Sequence, residues 1–141
     1  MSCTITEGRI KLADDTILKI VVNIIDARES GFSPFGGVNI VVKHFGGTAV
    51  VKVPDQLIQS VKDKPIYSSA NQPQDGWEMM DIVESTNAIA ETKIPTTRGN
   101  FLVRLVSQPS MASRNLNYKS DLGEPVYIVY FAPIVGWKPV S

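Results

Sequence analysis

Residues 38–53 read VNIVVKHFGGTAVVKV, two β-branched runs on either side of a bare Gly46-Gly47 pair. β-Branched side chains favour extended backbone, and a double glycine between two such runs is the strongest short-range signal for a hairpin with a two-residue turn. That turn sets Phe45 opposite Thr48, Val42 opposite Val51 and Ile40 opposite Val53. One face of the ribbon then carries Ile40, Val42, Ala49, Val51 and Val53, with His44 opposite Ala49. The other carries Asn39, Lys43, Thr48 and Lys52, with Val41 and Val50 among them. A slip of one residue would mix the two sets, so the pattern predicts a half-buried antiparallel sheet.

The remaining chain has the same character. Residues 9–12 and 16–25 read as strands joined at Ala13-Asp14-Asp15. A three-residue loop pairs Leu12 with Thr16 and Ile10 with Leu18. It keeps Ile10, Leu12, Leu18, Ile20, Val22 and Ile24 on one face, with Asp15 in a left-handed position. Residues 26–37 and 64–76 read as loops from their Gly, Ser and Pro content. Residues 54–61 predict a short helix: Pro54 suits a first turn, Asp55 the positive helix end, and Leu57, Ile58 and Val61 keep helical spacing.

Residues 77–84 carry a helical stripe (Trp77, Met80, Val83) and strand formers (Ile82 and Val83, with Thr86 just beyond), and read as a strand able to pair with 88–94. Residues 101–107 read as a strand and 108–124 as a long polar loop. Residues 126–131 (VYIVYF) are apolar or aromatic on both faces and predict a central strand, with a short strand at 132–137 beyond a bend at Pro133. About seven strands, one short helix and no strand–helix alternation predict a mainly β fold, an antiparallel β-sandwich or barrel, with α+β as the alternative.

Composition sets the outer limits. A chain of 141 residues with 43% hydrophobic content suits one globular domain over residues 1–141. Lys plus Arg and Asp plus Glu both number 14, without the basic excess that duplex DNA binding calls for. Cys3 is the sole cysteine, which excludes an intrachain disulfide. The first residues show no basic segment followed by an apolar one, and the apolar run 17–25 is broken by Lys19 and Asn23. These features lead to the expectation of a cytoplasmic protein with no membrane association.

Chemistry-bearing motifs are sparse. No phosphate-binding glycine loop, nucleophile elbow or paired-cysteine motif occurs, and no cofactor is expected. A single His and a single Cys make no zinc site. The carboxylates of Asp14, Asp15, Asp75, Glu78, Asp81 and Glu84 match no calcium loop, so no metal is expected. Asp14-Asp15 reads as a solvated turn. His44 is the one candidate acid–base residue, without a Ser, Cys or carboxylate at a spacing that would bring a partner to it.

Charge is unevenly spread. Asp75, Glu78, Asp81, Glu84 and Glu91 form an acidic segment, and Lys93, Arg98, Arg104, Arg114 and Lys119 a basic one. Adjacent strands could pair these charges, or two faces of opposite sign could dock copies together. A third reading sets Arg98, Arg104, Arg114 and Lys119 with Phe101 and Tyr118 as a single-stranded nucleic-acid surface. Within the predicted loop 108–124, Arg114 between Ser113 and Asn115 suits an anion or a peptide carboxylate. The candidate binding residues are therefore Trp77, Arg98, Arg104, Arg114, Asn115, Tyr118 and Lys119. The leading expectation is a non-enzymatic binding or assembly module that self-associates or docks a protein partner through sheet edges and long polar loops. The alternatives are a nucleic-acid-binding β-barrel and a small enzyme using His44.

Overall fold

The computed structural model describes residues 3–141. Nine strands make two antiparallel sheets: β1 (Thr4–Thr6), β2 (Gly8–Leu12), β3 (Ile17–Glu29), β4 (Ile40–Lys52), β5 (Trp77–Met80), β6 (Ile82–Ser85), β7 (Ala88–Thr96), β8 (Gly99–Lys119) and β9 (Pro125–Pro139). One sheet runs β4-β3-β2-β6. The other runs β1-β7-β8-β5, with β9 along the opposite edge of β8. The sheets pack as a sandwich round one apolar cluster that draws Ile10, Leu18, Ile20 and Val22 from the first and Ala90, Phe101, Val103 and Leu105 from the second. The chain changes sheet four times, between β1 and β2, between β4 and β5, at Asp81 and after β6, which ties the two layers together.

The β2–β3 hairpin forms as its side-chain pattern predicts. Ile10 pairs with Leu18, the Leu12 amide donates to the Thr16 carbonyl (2.9 Å), and Asp15 takes φ 68°. All six predicted inward residues, from Ile10 to Ile24, are buried. The short helix is present as α1 (Asp55–Ser60), followed by the fully buried Val61. Residues 77–84 are strand, as read, but they split into β5 and β6 in different sheets. They pair with β8 and β2 rather than with 88–94.

The Gly46-Gly47 hairpin does not form. Residues 40–52 are one strand paired along its length with β3, Gly46 against Val22 and Gly47 against Val21. Neither glycine adopts the positive φ that a two-residue turn requires. The thirteen-residue β3 offers a longer ladder than the hairpin would, and Gly46 serves a close approach instead. A Cβ on Gly46 would stand 2.8 Å from the Val21 carbonyl oxygen and 3.5 Å from the Phe131 ring. The paper register between Val42 and Val51 is therefore absent, and Ala27 is the partner of Val42.

Three further expectations are corrected. The loop 26–37 begins only after Glu29, because β3 runs on to pair with Ile40. The loop 108–124 is strand as far as Lys119, held by β9 on one edge and β5 on the other; a register shift between Pro109 and Met111 absorbs the proline. Residues 126–131 and 132–137 belong to the single strand β9, which pairs only with β8 and is an edge strand rather than a central one. No barrel closes, because β4 and β9 leave open edges. Among the described residues no helix is long and apolar enough to cross a membrane.

One inward position of β8 carries an isolated defect. Ser107 is 1% exposed and its Oγ has no hydrogen-bond partner. A buried hydroxyl without a partner costs about 1–3 kcal/mol. Ser107→Ala is expected to raise stability by about 1 kcal/mol, read as a higher urea midpoint at unchanged m-value.

Candidate functional site

The two flanks of the sandwich differ. On one, the outermost strands β1, β5 and β6 are three or four residues long. On the other, β4 and β9 run for 13 and 15 residues with one edge of each unpaired. Long open edges present rows of unpaired N–H and C=O groups, which proteins ordinarily shorten or cover. A groove of about 470 Å³ separates the lower halves of the two strands, lined by Thr48, Ala49 and Val50 from β4 and by Val126, Tyr127 and Ile128 from β9. Glu124 also lines it, and burial holds that carboxyl above its ordinary value.

Apolar side chains are exposed on the outer faces of both edge strands. Val41 and Phe45 stand exposed on β4, and Ile128, Tyr130 and Ile134 on β9. Met111, paired with Tyr130, and Met79, paired with Ser113, extend the exposed apolar set over the outer face of β8 and β5. Ile128, Tyr130, Met111 and Met79 are neighbours in register, and exposed apolar side chains grouped in this way mark contact surfaces more often than scattered single residues do.

Beneath the surface a polar cluster joins the sheets. Asp14, on the β2–β3 turn, accepts from the Tyr127 hydroxyl (2.8 Å), from Arg114 Nη1 (3.0 Å) and, through its other oxygen, from the Thr16 amide (3.0 Å). The Tyr127 hydroxyl also lies 2.8 Å from Thr16 Oγ1, and Arg114 Nε is 3.4 Å from a Glu78 oxygen. Burial works against ionisation of Asp14, but the hydrogen bonds from Tyr127, Thr16 and Arg114 outweigh it and hold the carboxyl below its ordinary value. Burial, aided by the Asp14 carboxylate, pushes Tyr127 up to about 12 against the Thr16 hydrogen bond. With both Asp14 oxygens engaged, this arrangement ties the β2–β3 turn of one sheet to Arg114 on β8 and Tyr127 on β9 of the other. Asp14 is thus no solvated turn residue: its side chain is 8% exposed.

The sequence candidates fall into separate places. Asn115 is fully buried, and its amide donates to the Asp75 carbonyl (3.1 Å). Arg114 is held by Asp14 and Glu78 in the cluster above. Trp77 donates from its ring N–H to the Pro73 carbonyl (2.8 Å), and its ring meets Tyr67 edge-on at 6.2 Å. Tyr118 meets the same Tyr67 ring at 6.3 Å, and the Lys119 ammonium donates to the Lys62 carbonyl (2.9 Å). Asn115, Trp77, Tyr118 and the Lys119 backbone, which bonds Pro65 and Tyr67, hold the loop 64–76 against β5 and β8, whereas Arg114 belongs to the Asp14 cluster. Arg98 and Arg104 lie elsewhere, Arg98 beside Gly37 before β8 begins and Arg104 opposite Glu91 on the outer face. Phe101 is 1% exposed in the core, so it offers no face for a base. Arg104, Arg114 and Lys119 are spread along the 21-residue β8, and Arg98 precedes it.

The charge segments meet as strand neighbours, with Glu78 opposite Arg114 and Glu91 opposite Arg104. His44 is exposed on β4, paired in register with Ile24, and lines none of the cavities described here. No group of three His, Cys, Asp or Glu side chains suited to a metal is present among the described residues. What residue-by-residue reading missed is the flank itself, because whether a strand ends a sheet depends on partners distant in sequence. The two-sided apolar character of 126–131 was the available signal. Comparison with family models, with curated proteins and with solved structures gives no match.

Proposed function

We propose that this chain is a non-enzymatic assembly module that takes up another protein chain along the flank formed by β4 and β9. The observation that carries the reading is the pairing of two long open strand edges on one side of a sandwich whose other side ends in strands of three or four residues. A strand added to β4 would satisfy its unpaired backbone groups and meet the exposed Val41 and Phe45, and one added to β9 would meet Ile128 and Tyr130. The candidate ion pairs are already made within the chain, so apolar contact and backbone hydrogen bonding supply the association.

Sedimentation velocity from micromolar to near-millimolar concentration tests this. Mass is expected to rise with concentration and to change little between low and high salt, because neither contact depends on exposed charge. Association that weakens steeply with salt would favour docking of oppositely charged faces instead. A monomer at every concentration and salt, with no protein captured that an edge-blocked variant does not also capture, overturns the reading.

A further inference from the structure

The open edge of β4 can be assigned residue by residue. Asn39, just before the strand, donates to the Gly31 carbonyl (2.8 Å) and accepts from the Ser30 amide (2.6 Å), so its backbone groups face the β3 side. Alternation then turns the odd-numbered residues from Val41 to Ala49 towards β3 and the even-numbered ones from Val42 to Val50 outwards. The register shift beside Lys43 and His44 leaves Ile25 of β3 unpaired, and the other leaves Val51 unpaired. The phase of β4 is therefore unbroken over residues 42–50.

On the outer face of this stretch a bulky side chain stands next to a gap. Phe45 is 60% exposed. Beside it lies a shallow hollow of about 300 Å³, lined among others by Val21, Asn23, Gly47 and Ala49, and a Cβ on Gly47 would meet nothing within 4 Å. We propose that β4 pairs antiparallel with β4 of a second copy across a two-fold axis through Gly46, each Phe45 ring covering Gly47 of the other copy; this rests on the assembly reading and names its partner.

The register follows from the edge. Outward residues must face outward residues, so only registers centred on a residue are allowed. Centring on Gly46 sets Val42 opposite Val50, Lys43 opposite Ala49, His44 opposite Thr48 and Phe45 opposite Gly47. An aromatic ring across from a strand glycine restores the packing that the glycine lacks. Centring on Gly47 leaves that glycine against itself, and centring on Phe45 sets ring against ring and Lys43 over the hollow. Of these three registers, only the one centred on Gly46 sets an aromatic ring over the gap.

Charge agrees with this choice. Lys43 is the one Lys, Arg, Asp or Glu in residues 42–50, it faces Ala49 of the other copy, and Asp26 of its own chain is its β3 partner. No like charges meet across the axis. β9 is less suited to the role, because Pro125, Pro133 and Pro139 withhold N–H donors, whereas residues 40–52 contain no proline. Nine residues a side fall short of the roughly 20–30 of a standard interface, so the dimer forms and dissociates with concentration.

Site-directed cross-linking tests the register. In a Cys3→Ser background, Lys43→Cys and Ala49→Cys chains are oxidised separately and mixed. Directly opposed residues of this kind hold their Cβ atoms about 4.5–5.5 Å apart, within a small adjustment of a disulfide. A covalent dimer is expected from the mixture and not from either chain alone. Thr48→Pro is the companion variant: its amide faces outwards, so proline removes no bond to β3, and a monomer with an unchanged circular dichroism spectrum is expected. If wild-type mass doubles but the mixture yields no cross-link, or if folded Thr48→Pro remains dimeric, the β4 register is overturned while the assembly reading stands. A wild-type mass that never exceeds the monomer overturns the β4 dimer, and overturns the assembly reading as well if no partner is captured.

Discussion

Asp14→Ala is expected to lower folding stability by about 3 kcal/mol, at the lower end of the loss seen when one partner of a buried ion pair is removed. Three groups lose their acceptor at once: the Tyr127 hydroxyl, Arg114 Nη1 and the Thr16 amide. Arg114 keeps only Glu78, whose side chain is about half exposed. The same residue gives the fold an acid-sensitive component. Because Asp14 is held below its ordinary value in the folded chain, its ionised form stabilises the fold at neutral pH. That contribution is complete above the unfolded value of about 3.9 and is lost as pH falls through the lower folded one. Urea unfolding of Asp14→Asn should therefore show a lower midpoint at pH 7 and a flatter decline in acid than the parent. A variant as stable as the parent at pH 7 would show that the cluster does not join the sheets.

Gly8→Ala is expected to cost about 3 kcal/mol for a different reason, overlap of backbone with backbone. Gly8 sits where the start of β2 passes under the connection from β6 to β7. A Cβ there would collide with the Thr86 carbonyl oxygen and stand 2.7 Å from the Ala88 amide nitrogen and 2.8 Å from the Asn87 carbonyl carbon. None of these atoms belongs to a flexible side chain, so relief requires the two layers to separate. Thermal unfolding is the measurement. Gly47→Ala is the control, because the space above Gly47 is empty. Equal midpoints for the two variants would contradict the crossing.

These residues also show what could be read from the chain. The β2–β3 hairpin was legible because its information is local: six apolar residues alternate, and Asp15 tolerates the one left-handed position. Gly46-Gly47 misled because a strand glycine signals either a turn or a close approach. The choice was made by β3, whose Val21 carbonyl oxygen, 25 positions away in sequence, would stand 2.8 Å from a Cβ on Gly46. Residues 108–119 looked like loop because their polar content is high. Asn115 and Arg114 are instead consumed inside the fold, by Asp75 and by the Asp14 cluster, and both edges of the strand are paired by distant segments. The site was legible in part. Sheet edges were named as the contact surface, but which strands end a sheet is a property of the whole topology.

Amide hydrogen exchange along β4 tests the central claim most directly. In dilute solution the amides of Lys43, Phe45, Gly47 and Ala49 should be protected by β3, while those of Val42, His44, Gly46, Thr48 and Val50 exchange fast. Raising the concentration should protect the second set and leave the first unchanged. Uniform protection along residues 42–50 at every concentration, or none that responds to concentration, would contradict an open edge that closes on a second chain.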